Sequence, residues 1–548
     1  MELNAQEQMK SRRRRHAILV WAALPLLAAF SSHASVYATN IKLNGSLTNQ
    51  WIAPGYPARI SYVLNEPATA GVIVRVCQGT NVVKTFSAAG GQPGALPGTN
   101  SFLWDGTSNG TNVPPGACSI HVTAGAVGYS TWTGITSDGP GFFVNSPRGV
   151  DVNKNTNSPY FGRVFVANAY AGNGQGAGIF KFNADGSPAD EGGYSDGGYP
   201  WAGDQYSPWK IAVGADDAVN VNDWRAGSPG AVVQFDQLIS PNPSYVLWSG
   251  YEQFPAGSVD ASGPYLSGPE TNELLWMADA HTNGSYGILQ WRMDTNGFVA
   301  IGDMGATAVA ATNSDLTAQP YDVAISTNGF IYTIQSLSDP FSSDNRVLCF
   351  PPWTNGQPSE TSALWAVGSG DTNLTYAYGV DVNPANTLVA VASRGYGRDP
   401  SALVGGNVSI FSTPNGSLVK RLGMGANHQY TDVAWDAVGN LYALDGTASM
   451  WRAYSPPGTN QATTVAVQQL QDFSALLAPQ LSQPAMSNQF TFLLCGQPYV
   501  TYAVQVSPDF VAWSTIATNY DSVSNRVISL PLPSDPQDFY RATVLFPN

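Results

Sequence analysis

Beyond the first third of the chain only two histidines occur, His281 and His428. Imidazole is the side chain whose charge changes near neutral pH, so such a pair could serve as general acid and base. His281 comes just after Asp279, and His428 just before Tyr430. Arg225, Arg394 and Arg398 could hold an anionic group by forked hydrogen bonds. Asn168, Asp223, Asp279, Gln335, Ser393 and Asp445 recur at one position of a repeating pattern. Of these, Asp223, Asp279 and Asp445 could coordinate Ca²⁺ through oxygen, although capping of adjoining turns is the competing role for Asp there. Tyr170, Trp224, Phe341 and Tyr396 place aromatic faces among glycines and amides, a composition suited to carbohydrate or peptide surfaces.

Two serine signatures, Gly106-Thr107-Ser108-Asn109-Gly110 and Gly193-Tyr194-Ser195-Asp196-Gly197, lack the strand-to-helix context that exposes a nucleophilic serine. The segment Asp151 to Asn155 opens like a calcium loop but has Gly162 where the bidentate Glu belongs, and reads as a hairpin tip.

These residues need a scaffold, and the repeat supplies it. Pro147-Arg148-Gly149-Val150-Asp151-Val152, Pro208-Trp209-Lys210-Ile211-Ala212-Val213, Pro320-Tyr321-Asp322-Val323-Ala324-Ile325, Tyr378-Gly379-Val380-Asp381-Val382 and Thr431-Asp432-Val433-Ala434-Trp435 share one pattern. Successive first apolar residues are separated by roughly 55–60 positions, except that Ile211 to Val323 spans about twice that. The hidden unit is supplied by Leu274 to Ala278 and Ile288 to Trp291, behind a degenerate first strand near Tyr265-Leu266. Second strands (Val164 to Val166, Leu388 to Val391, Leu441 to Leu444) and third strands (Ile179 to Phe182, Val408 to Phe411) follow. Hairpin dipeptides then appear at Asp185-Gly186, Asn296-Gly297, Asn355-Gly356 and Asn415-Gly416. Four strands per unit and six units predict an all-β, six-bladed β-propeller over residues 146–470. The loops leaving second strands and entering first strands then emerge on one face around the central channel, which gathers the polar ring, both histidines and Trp224, Arg225, Arg394 and Tyr396 there.

The blade from Tyr430 through Asp432-Val433-Ala434-Trp435-Asp436 to Gly439-Asn440-Leu441-Tyr442-Ala443-Leu444-Asp445 resembles NHL repeats. Residues 40–145 read as short alternating strands, with Val72, Val74 and Val76 on one face. There, Trp104-Asp105-Gly106 leads through Asn109-Gly110 to Val113-Pro114-Pro115-Gly116-Ala117-Cys118, which resembles the immunoglobulin-like domain of the flagellar hook-capping family. Such a β-sandwich implies a spacer or accessory module. Cys118 stands where that family has tyrosine, and this favours a disulfide between Cys77 and Cys118 in an oxidising compartment. Cys349 and Cys495 read as buried thiols, and no C-x-x-C spacing suggests zinc.

Residues 471–486 read as a linker. Residues 487–548, with Phe490-Thr491-Phe492-Leu493, Tyr502 to Ser507 and Phe539-Tyr540-Arg541-Ala542, resemble a small C-terminal β-domain of exported planctomycete and verrucomicrobial proteins.

Residues 1–38 have the form of a signal peptide: Arg12 to Arg15, an apolar run from Ala17 to Phe30, then small residues ending at Ala34 or Ala38. The run is shorter than the ~20 residues of a membrane span, although an uncleaved anchor is the other reading. General secretion is favoured over the twin-arginine route, since Arg15 stands where an aromatic belongs. The expected location is therefore exported: periplasmic, cell-surface or extracellular, with no membrane span after cleavage. The formal net charge of −14, with only 11% charged residues, excludes a nucleic-acid partner by repulsion.

Two functional readings follow. The first is an exported binding or scaffold protein whose channel face engages a polysaccharide, peptide or envelope protein. The second is an enzyme, either a metal-dependent hydrolase resembling lactonase propellers or a lyase using His281 or His428. The sequence leaves open whether the chain is an enzyme and whether Ca²⁺ is a cofactor.

Overall fold

The computed structural model describes residues 36–545, except 48–49, 53–57, 115, 173, 190–192, 204–206, 225–230, 242–244, 250–260, 270–272, 280–286, 293–306, 309–319, 336–344, 353–362, 369–373, 375, 397–403, 425–427, 473–478, 496–500, 521–524 and 532–537. Short β-branched and aromatic runs, separated by Gly, Asn and Pro turns, make the described chain almost wholly β. Among the described residues no helix is long and apolar enough to cross a membrane.

Six four-stranded antiparallel sheets form the blades of a propeller. Their inner strands are Pro147–Val152, Ile211–Val213, Ala261–Ser267, Pro320–Ile325, Ala377–Val382 and Tyr430–Trp435. Each inner strand neighbours the next, and the sixth returns to the first, so the ring is closed. Apolar residues of adjacent blades pack face to face. Phe165 and Ile179 of blade 1 meet Val219 and Val233 of blade 2, and Val408 and Ile410 of blade 5 meet Val433 and Trp435 of blade 6. Hairpin chemistry acts as expected at Asp185-Gly186 and Asn415-Gly416. There Gly186 and Gly416 adopt φ of 85° and 68°, and the Asp185 and Asn415 side chains accept the amides of Ser187 and Ser417. The Asn296-Gly297 and Asn355-Gly356 turns lie outside the described residues.

Two boundaries of the propeller differ from the sequence reading. The sixth blade takes its outer strand from Thr133–Gly134, upstream of blade 1, which pairs with Tyr454 and Ser455. The strand Gly458–Asp472, expected to finish the propeller, leaves it and enters the front sandwich between Gln50–Ile52 and Gly116–Tyr129. The alternation of that strand satisfies either sheet, so periodicity could not choose between them.

The front unit is a sandwich of a three-stranded sheet (Ala38–Leu43, Ala58–Leu64, Gly98–Trp104) and a five-stranded sheet completed by Gly458–Asp472. Trp104 is fully buried with its indole N–H on the Thr107 carbonyl, and Asp105 accepts the Thr107 amide at 3.1 Å. The expected Cys77–Cys118 disulfide does not form, and both thiols are free. Val72, Val74 and Val76 face the sandwich core, so alternation turns Cys77 to the other side of its strand. Cys118 shares the core face with Ile120, Val122 and Ala124. The two cysteines therefore lie on adjacent strands but on opposite faces of one sheet. Burial pushes the Cys118 thiol up to about 12.

The C-terminal β-unit begins earlier than expected. Gln480–Met486, read as linker, pairs with Phe490–Cys495, and two three-stranded sheets enclose Phe492, Leu494, Tyr502, Val504, Ile528 and Leu530.

Candidate functional site at the propeller axis

The inner strands meet around the axis in registered layers. The residue before the first apolar position is Gly149, Lys210, Gly263, Asp322, Gly379 and Asp432 in blades 1 to 6. Glycines alternate with charges because there is no room for anything else. A Cβ on Gly379 would lie 2.4 Å from Asp432 Oδ1, and one on Gly263 would lie 2.2 Å from Asp322 Oδ1. In that space Lys210 Nζ, 2% exposed, donates to Asp432, to Asp322 Oδ2 at 3.3 Å and to the Thr431 carbonyl at 3.1 Å. Each carboxylate also accepts a backbone amide from the next blade, Val380 N onto Asp322 and Val150 N onto Asp432.

Two residues further along each strand the layer reads Asp151, Ala212, Tyr265, Ala324, Asp381 and Ala434. Lys154, from the turn after blade 1's inner strand, lies 2.8 Å from Asp151 and 3.8 Å from Asp381. Val213 N and Trp435 N donate to these two aspartates, again across blades. The axis is therefore filled. Among the described residues the space between the layers is about 20 Å³, roughly that of one water. Burial pushes Asp432 up to about 8 against the opposing pull of Lys210, raises Asp322, and pushes Asp381 up to about 6 against Lys154.

One residue earlier stand Arg148, Trp209, Ser262, Tyr321, Tyr378 and Thr431. In five of the six inner strands the register shifts at this position, so one residue there has no partner across the pair. Such a bulge re-aims its side chain. Tyr321 and Tyr378 stand at such bulges, and with Trp209 and Trp224 they make a chain of rings over the axis. Trp209 packs against Trp224 at 5.2 Å and Tyr378 at 6.1 Å, while Tyr321 lies 5.7 Å from Trp224 and 5.6 Å from Tyr378. Trp209 is buried, and the other three rings are half-buried. Arg148 lies over Trp209 and Arg394 over Tyr378, at 5.7 Å and 5.2 Å. Arg394 is held by two neutral acceptors, Gln429 Oε1 at 3.4 Å and the Tyr378 hydroxyl at 3.3 Å.

Of the residues expected to form the site, Trp224 and Arg394 join this cluster. The polar ring has a different role. Asn168, Asp223, Gln335, Ser393 and Asp445 are each 2% exposed or less. Asn168 bonds the amide of Ser146 and the carbonyls of Tyr170 and Gly176, Asp223 accepts the Tyr199 hydroxyl, and Gln335 accepts Arg346. Asn168, Asp223 and Gln335 thus bond within or beside their own blades. Asp445 accepts Thr447 and Ala448 amides and receives His428 Nδ1 at 2.6 Å, with the imidazole 31% exposed. Among the described residues no group of three or more His, Cys, Asp or Glu could hold a metal ion. His281, Arg225, Phe341 and Arg398 lie outside the described residues, as do the side chains of Asp279 and Tyr396.

The residues missed from sequence, Arg148, Trp209, Tyr321, Tyr378 and the Lys210–Asp322–Asp432 set, all stood inside the repeat motif. Aligning the motif by its first apolar residue brings them into two adjacent columns, and that alignment was the available signal.

No family model matches the chain, and no curated protein matches it. Among solved structures it is similar to a glucose dehydrogenase, with 11% identity over 59% of this chain and 98% of that one and a TM-score of 0.37. It is also similar to an ancestral GH74 enzyme, with 13% identity, 86% and 50% coverage and a TM-score of 0.33. A third similar structure is an alpha-L-arabinofuranosidase from Clostridium thermocellum, with 13% identity, 51% and 93% coverage and a TM-score of 0.31.

Proposed function

We propose that this protein is a polysaccharide-binding propeller, exported through its N-terminal leader, which engages an acidic glycan at the aromatic end of its axis. The observation that carries this reading is the run of half-buried rings, Trp224, Tyr321 and Tyr378, flanked by Arg148 and Arg394. Sugar rings present C–H faces that pack on aromatic faces, and a guanidinium offers a planar fork to a carboxylate or sulfate. Two arginines at one end of a chain with net charge −14 concentrate positive charge where such a chain would lie.

The test is affinity electrophoresis through gels containing laminarin, xylan, alginate, pectate or a sulfated galactan. Acidic glycans should retard the protein. Trp224→Ala and Arg394→Ala should each weaken retardation about tenfold, with thermal unfolding unchanged, and Arg394→Ala should also reduce its sensitivity to salt. Retardation by none of the acidic glycans, or retardation indifferent to both substitutions, would count against it.

A second reading, an enzyme acting at the same end, rests on the His428–Asp445 pair. A buried carboxylate bonded to Nδ1 fixes the orientation and tautomer of the imidazole, so that Nε2 carries the lone pair, the arrangement a general base requires. Turnover of any retarding glycan, abolished by His428→Ala while retardation persists, would favour it.

A further inference from the structure

The end of the propeller opposite the aromatic rings carries a cavity of 590 Å³. It lies among the turns that join first to second strands in blades 1 to 4, bounded by Lys154, Ala215, Tyr265, Glu273, Trp276 and Gln290 among others. Its volume falls in the range of small-molecule sites, roughly 300–1,000 Å³. The two charged groups on its wall are already engaged. Lys154 is paired with Asp151 and Asp381. Glu273, 2% exposed, accepts the Ala215 amide at 2.7 Å and lies against Gly214, where a Cβ would come within 2.8 Å of Oε1. Trp276 is anchored by its indole N–H on the Ser267 hydroxyl at 2.8 Å, which fixes its ring in the wall.

What the cavity offers is therefore the Gln290 amide, the Thr156 and Ser267 hydroxyls and aromatic carbon, with both charged groups already engaged. We infer that it is a second binding site, separate from the aromatic end, for a neutral polyhydroxylated molecule of one or two sugar rings. A charged ligand would have to strip Lys154 or Glu273 from its present partners, whereas hydroxyl groups can exchange hydrogen bonds with an amide and other hydroxyls without doing so. The filled axis keeps the two ends apart, since only 20 Å³ lies between the charged layers.

Titration calorimetry of the full chain with glucose, xylose, maltose and cellobiose tests this. At least one sugar should bind. Ala215→Trp, which sets a large ring at the exposed rim, and Gln290→Leu, which removes the amide but keeps the bulk, should each weaken that sugar at least tenfold. Trp224→Ala, at the other end, should leave it unchanged. The inference fails if none of the four sugars binds at tens of millimolar, or if binding survives both cavity substitutions in folded protein. Loss of sugar binding on Trp224→Ala would place the sugar at the aromatic end and overturn it equally. Glycan retardation that persists in Ala215→Trp keeps the two readings separable.

Discussion

Lys210→Met is the most informative single change at the axis. It leaves Asp322 and Asp432 buried in one layer without the ammonium they share, while the amides of Val380 and Val150 still bond them. Removing one partner of a buried ion pair costs about 3–5 kcal/mol, because the remaining charge is stranded. For a domain of this size that corresponds to a Tm lowered by roughly 5–10 °C. The pH dependence has a definite sign. Burial raises Asp432 to about 8, raises Asp322 and raises Asp381 to about 6. The folded state therefore keeps protons that the unfolded chain releases above pH ~4. The stability linked to these groups is present in full below that pH, falls by no more than ~1.4 kcal/mol per unit and carboxyl as pH rises through 6 and 8, and is flat beyond. Without Lys210 the aspartates hold their protons to higher pH, so the substitution should cost less at pH 5 than at pH 8. Thermal unfolding followed by tryptophan fluorescence at both pH values measures it, and adding Asp322→Asn and Asp432→Asn should recover most of the loss. A cost below about 1 kcal/mol at pH 8, or the same cost at both pH values, would refute the reasoning.

Two further predictions concern the first described residues and the strand that returns to the front sandwich. Val36, Tyr37 and Ala38 are fully buried, Tyr37 N bonds Asn65, and the Tyr37 hydroxyl meets that of Tyr442 in blade 6. Processing after Ala34 keeps these contacts and processing after Ala38 removes them, so N-terminal sequencing of exported protein should begin at Ser35. Ending the chain at Pro457 removes the strand that pairs along Gly116–Tyr129. Amide exchange should then show loss of protection in the front sandwich, whereas blade 6, closed by Thr133–Gly134, keeps its four strands. Protection retained in Gly116–Tyr129 would contradict that assignment.

The repeat, its double step and the paired Gly turns were readable along the chain, because blade-forming strands are short, local and antiparallel, and each hairpin carries its own turn chemistry. The polar residues closing the second strands were legible as a column but not in role, since capping a loop and facing a ligand call for the same side chains. Asn168 and Asp223 spend their groups on Gly176, Tyr170 and Tyr199 instead of on a channel.

What the sequence determined by itself is the all-β repeat and the positions of its turns, for alternation and turn residues are properties of neighbouring positions. The tertiary structure decided three things: that Gly458–Asp472 completes a sheet begun more than three hundred residues earlier, that Cys77 and Cys118 face apart, and that bulges at Tyr321 and Tyr378 bring their rings together with Trp209 over a plugged axis. Each depends on which strand lies beside which, and that is set by closing the ring and burying its faces, not by local pattern.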